Sequence, residues 1–196
     1  MVKHLQDHCR ANNAIVVFIY CNYKDQARQT IPELVASLLK QVLQVQHQTS
    51  DNMKSFYKHH SSQGSRPNCK ELRKAFQSEI GTSTVFLVVD ALDECLERDQ
   101  EILIQELQSL AGDLHLMVTS RPLPLIEAVF QDAIHLEIRA TDDDVRKYIR
   151  SRILRERRLK VHVAKDKELQ KNVEDKVMAN VRGMYALLYF NLTTRF

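Results

Sequence analysis

Glycine is scarce in this sequence. Four occur in 196 residues, where average usage would give roughly 14, and they stand apart at Gly64, Gly81, Gly112 and Gly183. No two fall at the spacing of G-x-G-x-x-G or G-x-x-x-x-G-K-[ST], so the chain holds no self-contained phosphate-cradling loop. Collagen-like and Gly-rich repeat architectures are excluded on the same ground. Tryptophan is absent, and no two of the four cysteines form a C-x-x-C pair. That spacing suggests neither a zinc ribbon nor a disulfide framework, and Cys9, Cys21, Cys69 and Cys95 read as reduced thiols of a cytoplasmic protein. No apolar run approaches the 18 residues of a membrane span, and MVKHLQDHCRANN lacks the apolar centre of a signal peptide. A membrane partner is therefore not expected, and the sequon Asn191-Leu192-Thr193 is taken as coincidence. Neither charge sign dominates: 28 basic residues face 25 acidic ones, which gives no electrostatic case for nucleic acid. The basic run Arg150 to Lys160 has no interleaved aromatics and reads as a solvated helix end. His47, His59 and His60 lack metal-ligand spacing.

What is present is an alternation of short apolar runs with helical periodicity, the pattern of an α/β domain with a mostly parallel sheet. Ala14 to Tyr20, Thr84 to Asp90 and Leu114 to Ser120 are nearly continuous in Val, Ile, Leu, Phe and Met, as strands covered on both faces are. Ala133 to Ile138 is a fourth strand. Thr30-Ile31-Pro32-Glu33 starts a helix whose apolar stripe is Leu34, Val35, Leu38, Leu39, Val42 and Leu43. Further helices run from Lys70 to Ile80, capped by Gly81, and from Glu97 to Ala111, capped by Gly112. Thr141 with Asp142, Asp143 and Asp144 opens another, its carboxylates at the positive end of the helix dipole. Ser61 to Asn68 reads as a loop, and Tyr185, Leu187, Leu188 and Phe190 as buried core.

The sharpest chemical signal is VFLVVDALDEC, in which an apolar strand runs into Asp90, and Asp93 and Glu94 follow at its carboxyl end. Open α/β sheets present ligand-binding groups at that end. A single aspartate closing a strand is commonplace; two more carboxylates just after it suit a rigidly held Mg²⁺-associated oxygen with a second group to orient water.

VVDALDEC resembles the extended Walker B motif of NACHT-type STAND P-loop nucleoside triphosphatases, particularly the nephrocystin-like N-terminal domain of fungal ankyrin-repeat proteins. IVVFIYCNYKDQ with QTIPELVASLLKQVL, LHLMVTSRP, IRATDDDVRKYIRSRI and VRGMYALLYF match that family's later segments in order. VRGMYALLYF resembles a helix near the end of the domain. The resemblance implies a three-layer α/β sandwich of the additional-strand P-loop type. An incomplete nucleotide-binding core would span residues 1–140 and a helical segment residues 141–196. It implies Asp90 as the metal-associated carboxylate, Glu94 with Asp93 as catalytic groups acting on water, and Arg121 as a nucleotide-contacting sensor. It implies Mg²⁺ and ATP or GTP as cofactors of a signalling switch, with protein partners or self-association.

The family's phosphate loop and first strand would lie before the matched region. Gly64 to Lys70, GSRPNCK, is no substitute, because Cys69 stands where backbone must approach phosphate. The expectation is a truncated domain that binds no nucleotide tightly alone. In the family's strand order, 5-1-4-3-2, the missing strand leaves a central gap beside Leu114 to Ser120, so poor stability or aggregation is expected. Two other functions compete: a non-enzymatic interaction module derived from such a domain, and a metal-dependent nuclease using the same carboxylates, disfavoured by the mild charge.

Overall fold

A computed structural model of the chain describes residues 2–9, 14–46, 48–110, 113–139, 141–180 and 185–192. The elements begin with α1 (Val2–Cys9), β1 (Ile15–Tyr20), α2 (Ile31–Gln46), α3 (Asp51–Gln63), α4 (Cys69–Ile80) and β2 (Val85–Asp90). A 3₁₀ turn (Leu92–Glu94), α5 (Glu97–Gln108), β3 (Leu114–Ser120), α6 (Pro124–Val129) and β4 (Ile134–Arg139) follow. The chain continues through α7 (Asp142–Arg155), α8 (Arg157–Lys165), α9 (Lys167–Asn180) and β5 (Tyr185–Leu192). It divides into two compact units, Met1–Leu136 with Leu187–Phe196, and Glu137–Ala186. No helix among the described residues is long and apolar enough to cross a membrane.

In the first unit the fold is α/β. β1, β2 and β3 form a parallel sheet in register Ile15↔Val85 and Val85↔Leu114. Strand residues alternate between faces. Ile15, Val17 and Ile19, with Val85, Leu87 and Val89 and with Leu114, Leu116 and Val118, enter one core with the buried stripes of α2, α4 and α5. The α2 stripe is Leu34, Val35, Leu38, Leu39 and Val42, each burial worth about 2 kcal/mol. Val16, Val88 and Met117 face the other way, onto Val2 and Cys9 of α1. Each strand is therefore apolar on both faces through its middle, because both faces are covered.

β1 lies at one end of the strand order, and two glutamine side chains stand in for a neighbouring strand. Gln41 Oε1 accepts from Phe18 N–H at 2.9 Å and its Nε2 donates to Phe18 O at 2.8 Å. Gln29 Nε2 donates to Tyr20 O at 2.8 Å. At Phe18 and the Tyr20 carbonyl the edge therefore offers no free ladder group to another chain.

The strand order is β1-β2-β3-β5-β4. Where a gap was expected beside β3, the structure places β5, antiparallel, in register from His115↔Leu192 to Ser120↔Leu187. The helix expected from VRGMYALLYF is thus a strand over Tyr185–Leu192, and Gly183 lies outside the described residues, as does Gly112. The expected core positions Tyr185, Leu187, Leu188 and Phe190 lie outside the residues whose side chains are described. A six-residue apolar run suits a helix or a buried strand equally by periodicity. The open ladder of β3 decides between them, since its backbone groups need partners.

Helix ends follow local chemistry. Asn68 and Glu71 form a reciprocal capping box at the start of α4, and Gly81 closes it at φ +56°. The segment read as a loop from Ser61 is shorter: α3 continues to Gln63 and ends on Gly64 in the left-handed region, φ 59°. GSRPNCK is therefore a helix-to-helix link, with no cradle for phosphate.

In the second unit, Thr141 and Asp144 form the capping box of α7. Ile149, Ile153 and Val163 make a small core, packed by Val145, Val173, Val177 and Met178. Glu174 is 4% exposed, and Arg150 Nε and NH2 each donate to it at 3.0 Å. Arg150, expected in a solvated helix end, is thus half of a bidentate ion pair. That hydrogen bonding holds the Glu174 carboxyl below its ordinary range. A carboxylate whose pKa falls on folding stabilises fully above its unfolded pKa, and the contribution is lost as pH drops through the folded value. Glu174→Ala is expected to cost about 1–2 kcal/mol at neutral pH and to flatten the loss of stability on acidification below the ordinary carboxylate range. Thermal melts of both proteins across pH 3 to 7, on the order of the carboxylate titration window, check this.

Candidate functional site

The carboxyl ends of β1, β2 and β3 meet at one edge of the sheet, because the three strands are parallel and nearly in step. Asp90 is the last residue of β2, and its partner in register is Tyr20. Its carboxylate is oriented by the next strand: Thr119 Oγ1 donates to Asp90 Oδ1 at 2.6 Å. The same hydroxyl accepts from Ala91 N–H at 2.8 Å. Asp90 is half-buried, and among the described residues no donor falls on its Oδ2.

Ala91 adopts φ 56°, ψ 51°, the one positive φ outside glycine among the described residues. For an alanine this costs about 1–2 kcal/mol, and such strain persists only where the surroundings enforce it. Here Thr119 holds the Ala91 amide while Leu92, fully buried, anchors the turn behind it. The chain reverses sharply off β2 into the 3₁₀ turn and presents Asp93 and Glu94 beside Asp90.

Asp93 turns toward β3. Arg121, just beyond that strand, donates from its backbone N–H to Asp93 Oδ1 at 3.1 Å and from Nε to Oδ2 at 2.5 Å. The Asp93 side chain is 5% exposed and that of Arg121 72%. The Asp93 hydrogen bond raises the arginine pKa further, so the guanidinium stays a cation, anchored at Nε on a mostly exposed side chain. Glu94 turns the other way, toward the segment after β1. Its Oε2 accepts from Tyr23 N–H at 3.1 Å, and its backbone O accepts from Gln26 Nε2 at 2.9 Å.

Cys21 and Cys95 sit beneath this layer. Cys21 follows β1 and donates its N–H to Asp90 O at 2.9 Å, while Cys95 closes the 3₁₀ turn. Their Sγ atoms are 2.8 Å apart. The shared hydrogen bond suppresses ionisation of Cys21 and favours it at Cys95.

The structure therefore brings Asp90, Asp93, Glu94 and Arg121 to one edge. Thr119, Tyr23, Gln26 and the thiol pair join them; they lie within the matched segments, but the sequence alone assigns them no role. Thr119 has one sequence signal, a hydroxyl at the polar end of an apolar strand, which gains meaning only once β3 is paired with β2. Thr119→Val removes the partner of both Asp90 Oδ1 and the Ala91 amide while keeping the shape. A loss of about 1–3 kcal/mol is expected, read as a lower denaturant midpoint.

No group of three or more His, Cys, Asp or Glu side chains that could hold a metal occurs among the described residues. The Asp90 site offers hard carboxylate oxygen, the donor type Mg²⁺ takes. Mg²⁺ is commonly held by one or two protein carboxylates, with waters and substrate phosphates completing its shell. The donor chemistry fits that ion without a preformed cage.

The family described as "Nephrocystin 3, N-terminal" matches residues 1–121 of this sequence. That covers β1 to β3, the strained turn and every residue of the candidate site. No curated protein and no solved structure matches the chain significantly. The chain belongs to the Nephrocystin 3 N-terminal family.

Proposed function

We propose that this member of the Nephrocystin 3 N-terminal family forms the metal-facing and water-facing side of a Mg²⁺-dependent ATP or GTP site, in a NACHT-type switch where triphosphate binding controls assembly. The observation that carries the reading is the convergence of Asp90, Asp93, Glu94 and Arg121 at the carboxyl edge of a parallel sheet, with Asp90 locked by Thr119. Ligands of open α/β sheets bind at that edge.

Each side chain has a distinct task. Asp90, its Oδ1 taken by Thr119, is the group that would hold Mg²⁺ through Oδ2, directly or through water. The ion would supply charge neutralisation to the phosphate oxygens. Glu94 positions the attacking water and takes its proton; its Oε2 is braced by Tyr23 N–H, which directs Oε1 to that work. Asp93 fixes Arg121 at Nε, so that the arginine's two outer nitrogens reach phosphate oxygen without a search over rotamers. The 196 residues contain no glycine-rich phosphate loop, so a backbone cradle for the phosphates would have to come from other residues.

Calorimetry with Mg²⁺-ATP and Mg²⁺-GTP tests it, on this chain and on a longer polypeptide that includes an upstream glycine-rich loop. Binding by the longer protein that is lost on chelating Mg²⁺ supports the reading. A loop-containing protein that binds neither nucleotide sinks it.

A second reading, a protein-interaction module without catalysis, is favoured by β4, where Ile134 and Leu136 are 60% and 50% exposed. Partner binding that survives Asp90→Ala and Glu94→Ala but is lost with Ile134→Lys would establish that reading instead.

A further inference from the structure

We propose that Cys21 and Cys95 are a redox modification site, a dithiol that hydroperoxides convert to an intramolecular disulfide bridging the end of β1 to the end of the 3₁₀ turn. Both are free thiols. They are 74 residues apart in sequence, yet their sulfurs stand 2.8 Å apart, within about 0.8 Å of a disulfide bond length. Backbone bonds hold both sides in place: Cys21 N–H to Asp90 O, and Cys95 N–H to Leu92 O at 3.0 Å. Gln100 Nε2 also donates to Cys95 O at 3.2 Å. The approach is therefore built into the fold and does not depend on the wandering of two mobile side chains.

Access assigns the order of events. Cys21 is 6% exposed, while Cys95 is only partly buried, so a small peroxide reaches Cys95 first. The Cys95 sulfur, as thiolate, attacks one peroxide oxygen, the O–O bond breaks, and the departing hydroxide takes a proton to become water. Cys95 is then a sulfenic acid. The Cys21 sulfur attacks the Cys95 sulfur, the S–O bond breaks, and the oxygen leaves as a second water with the Cys21 proton. Two thiols have lost two electrons and two hydrogens, and one hydroperoxide has been reduced. A thiol reductant such as glutathione reverses the bond by exchange.

The other two thiols are built differently. Cys9 is buried against Val16, Val88 and Met117 on the opposite face of the sheet, and Cys69 opens α4 with burial raising its pKa. The sulfur pair would react this way with or without a nucleotide. A bridge there would nonetheless tether the turn that carries Asp93 and Glu94 to β1.

The test is to treat the full chain with hydrogen peroxide, alkylate the remaining thiols, and map peptides without reduction. The expected result is a thiol titre falling from four by two, a mass loss of two hydrogens, one cross-linked peptide joining Cys21 to Cys95, and full reversal by glutathione. The Cys9→Ser, Cys69→Ser double variant should form the same bridge. In Cys21→Ser, with no resolving thiol, Cys95 should proceed to sulfinic acid. Four alkylatable thiols after peroxide, a bridge using Cys9 or Cys69, or Cys95 sulfinic acid in the unaltered protein would each overturn the proposal.

Discussion

Ending the chain after Met184 is expected to make the protein aggregate. β5 pairs with β3 over six aligned residue pairs, His115↔Leu192 to Ser120↔Leu187. Its removal opens the ladder of a strand whose Leu114, Leu116 and Val118 sit in the main core. Each unmet backbone group costs about 1–3 kcal/mol when it stays out of water. Several together approach the whole stability of a domain this size, about 5–15 kcal/mol. An exposed, apolar strand edge also templates pairing with another chain, so the loss should appear as oligomers and precipitate. Leu188→Pro tests the same point without shortening the chain. The strand order puts β5 between β3 and β4, and a proline in an interior strand removes a ladder donor. Size-exclusion chromatography with light scattering gives the answer: a monomeric, cooperatively melting truncated chain would show that β5 is dispensable. The instability expected from a sheet with a central gap thus becomes conditional on these C-terminal residues, because they fill it.

The four strands Ala14 to Tyr20, Thr84 to Asp90, Leu114 to Ser120 and Ala133 to Ile138 were readable to within a residue or two. Their signal is local: β-branched and apolar runs bounded by turn residues. α2, α4 and α7 were equally readable, α2 and α7 through Thr30 and Thr141 and α4 through Gly81 at its end. α3 was not, for a physical reason. It has no buried residue, its contact with the core is limited to the partly buried Met53 and Phe56, and Ser50 and Gly64 mark its ends. β5 failed differently, since its identity depends on a partner some 70 residues upstream whose ladder is open. The site divides along the same line. Asp90, Asp93 and Glu94 are consecutive enough for a motif to expose them. The Thr119 hydroxyl on Asp90, the Arg121 tie to Asp93, the Tyr23 amide under Glu94 and the Cys21–Cys95 contact all bridge segments that meet only when strands align.

Under the proposed function, Glu94→Gln and Asp90→Asn should separate chemistry from binding in a loop-containing protein, and both changes should leave the fold intact. A glutamine keeps an oxygen to accept from Tyr23 N–H, and an asparagine keeps one to accept from Thr119 Oγ1. Neither alters the volume of a half-buried site. What each removes is the negative charge and, for Glu94, the ability to take a proton. Glu94→Gln is therefore expected to lower kcat for triphosphate hydrolysis by about 10²- to 10⁴-fold, the usual worth of a general base, with nucleotide affinity unchanged. Asp90→Asn weakens the one carboxylate assigned to the ion, and its defect should appear in affinity, steepest at low Mg²⁺ and shrinking as Mg²⁺ is raised. Arg121 supplies the internal comparison. Its side chain is exposed and held by Asp93, so Arg121→Ala should reduce affinity for the triphosphate more than for the diphosphate if its outer nitrogens meet the terminal phosphate. Steady-state hydrolysis together with calorimetry on the three variants decides the matter. A Glu94→Gln protein that turns over at the unaltered rate would remove Glu94 from the chemistry, and an Asp90→Asn defect indifferent to Mg²⁺ would remove the ion from Asp90.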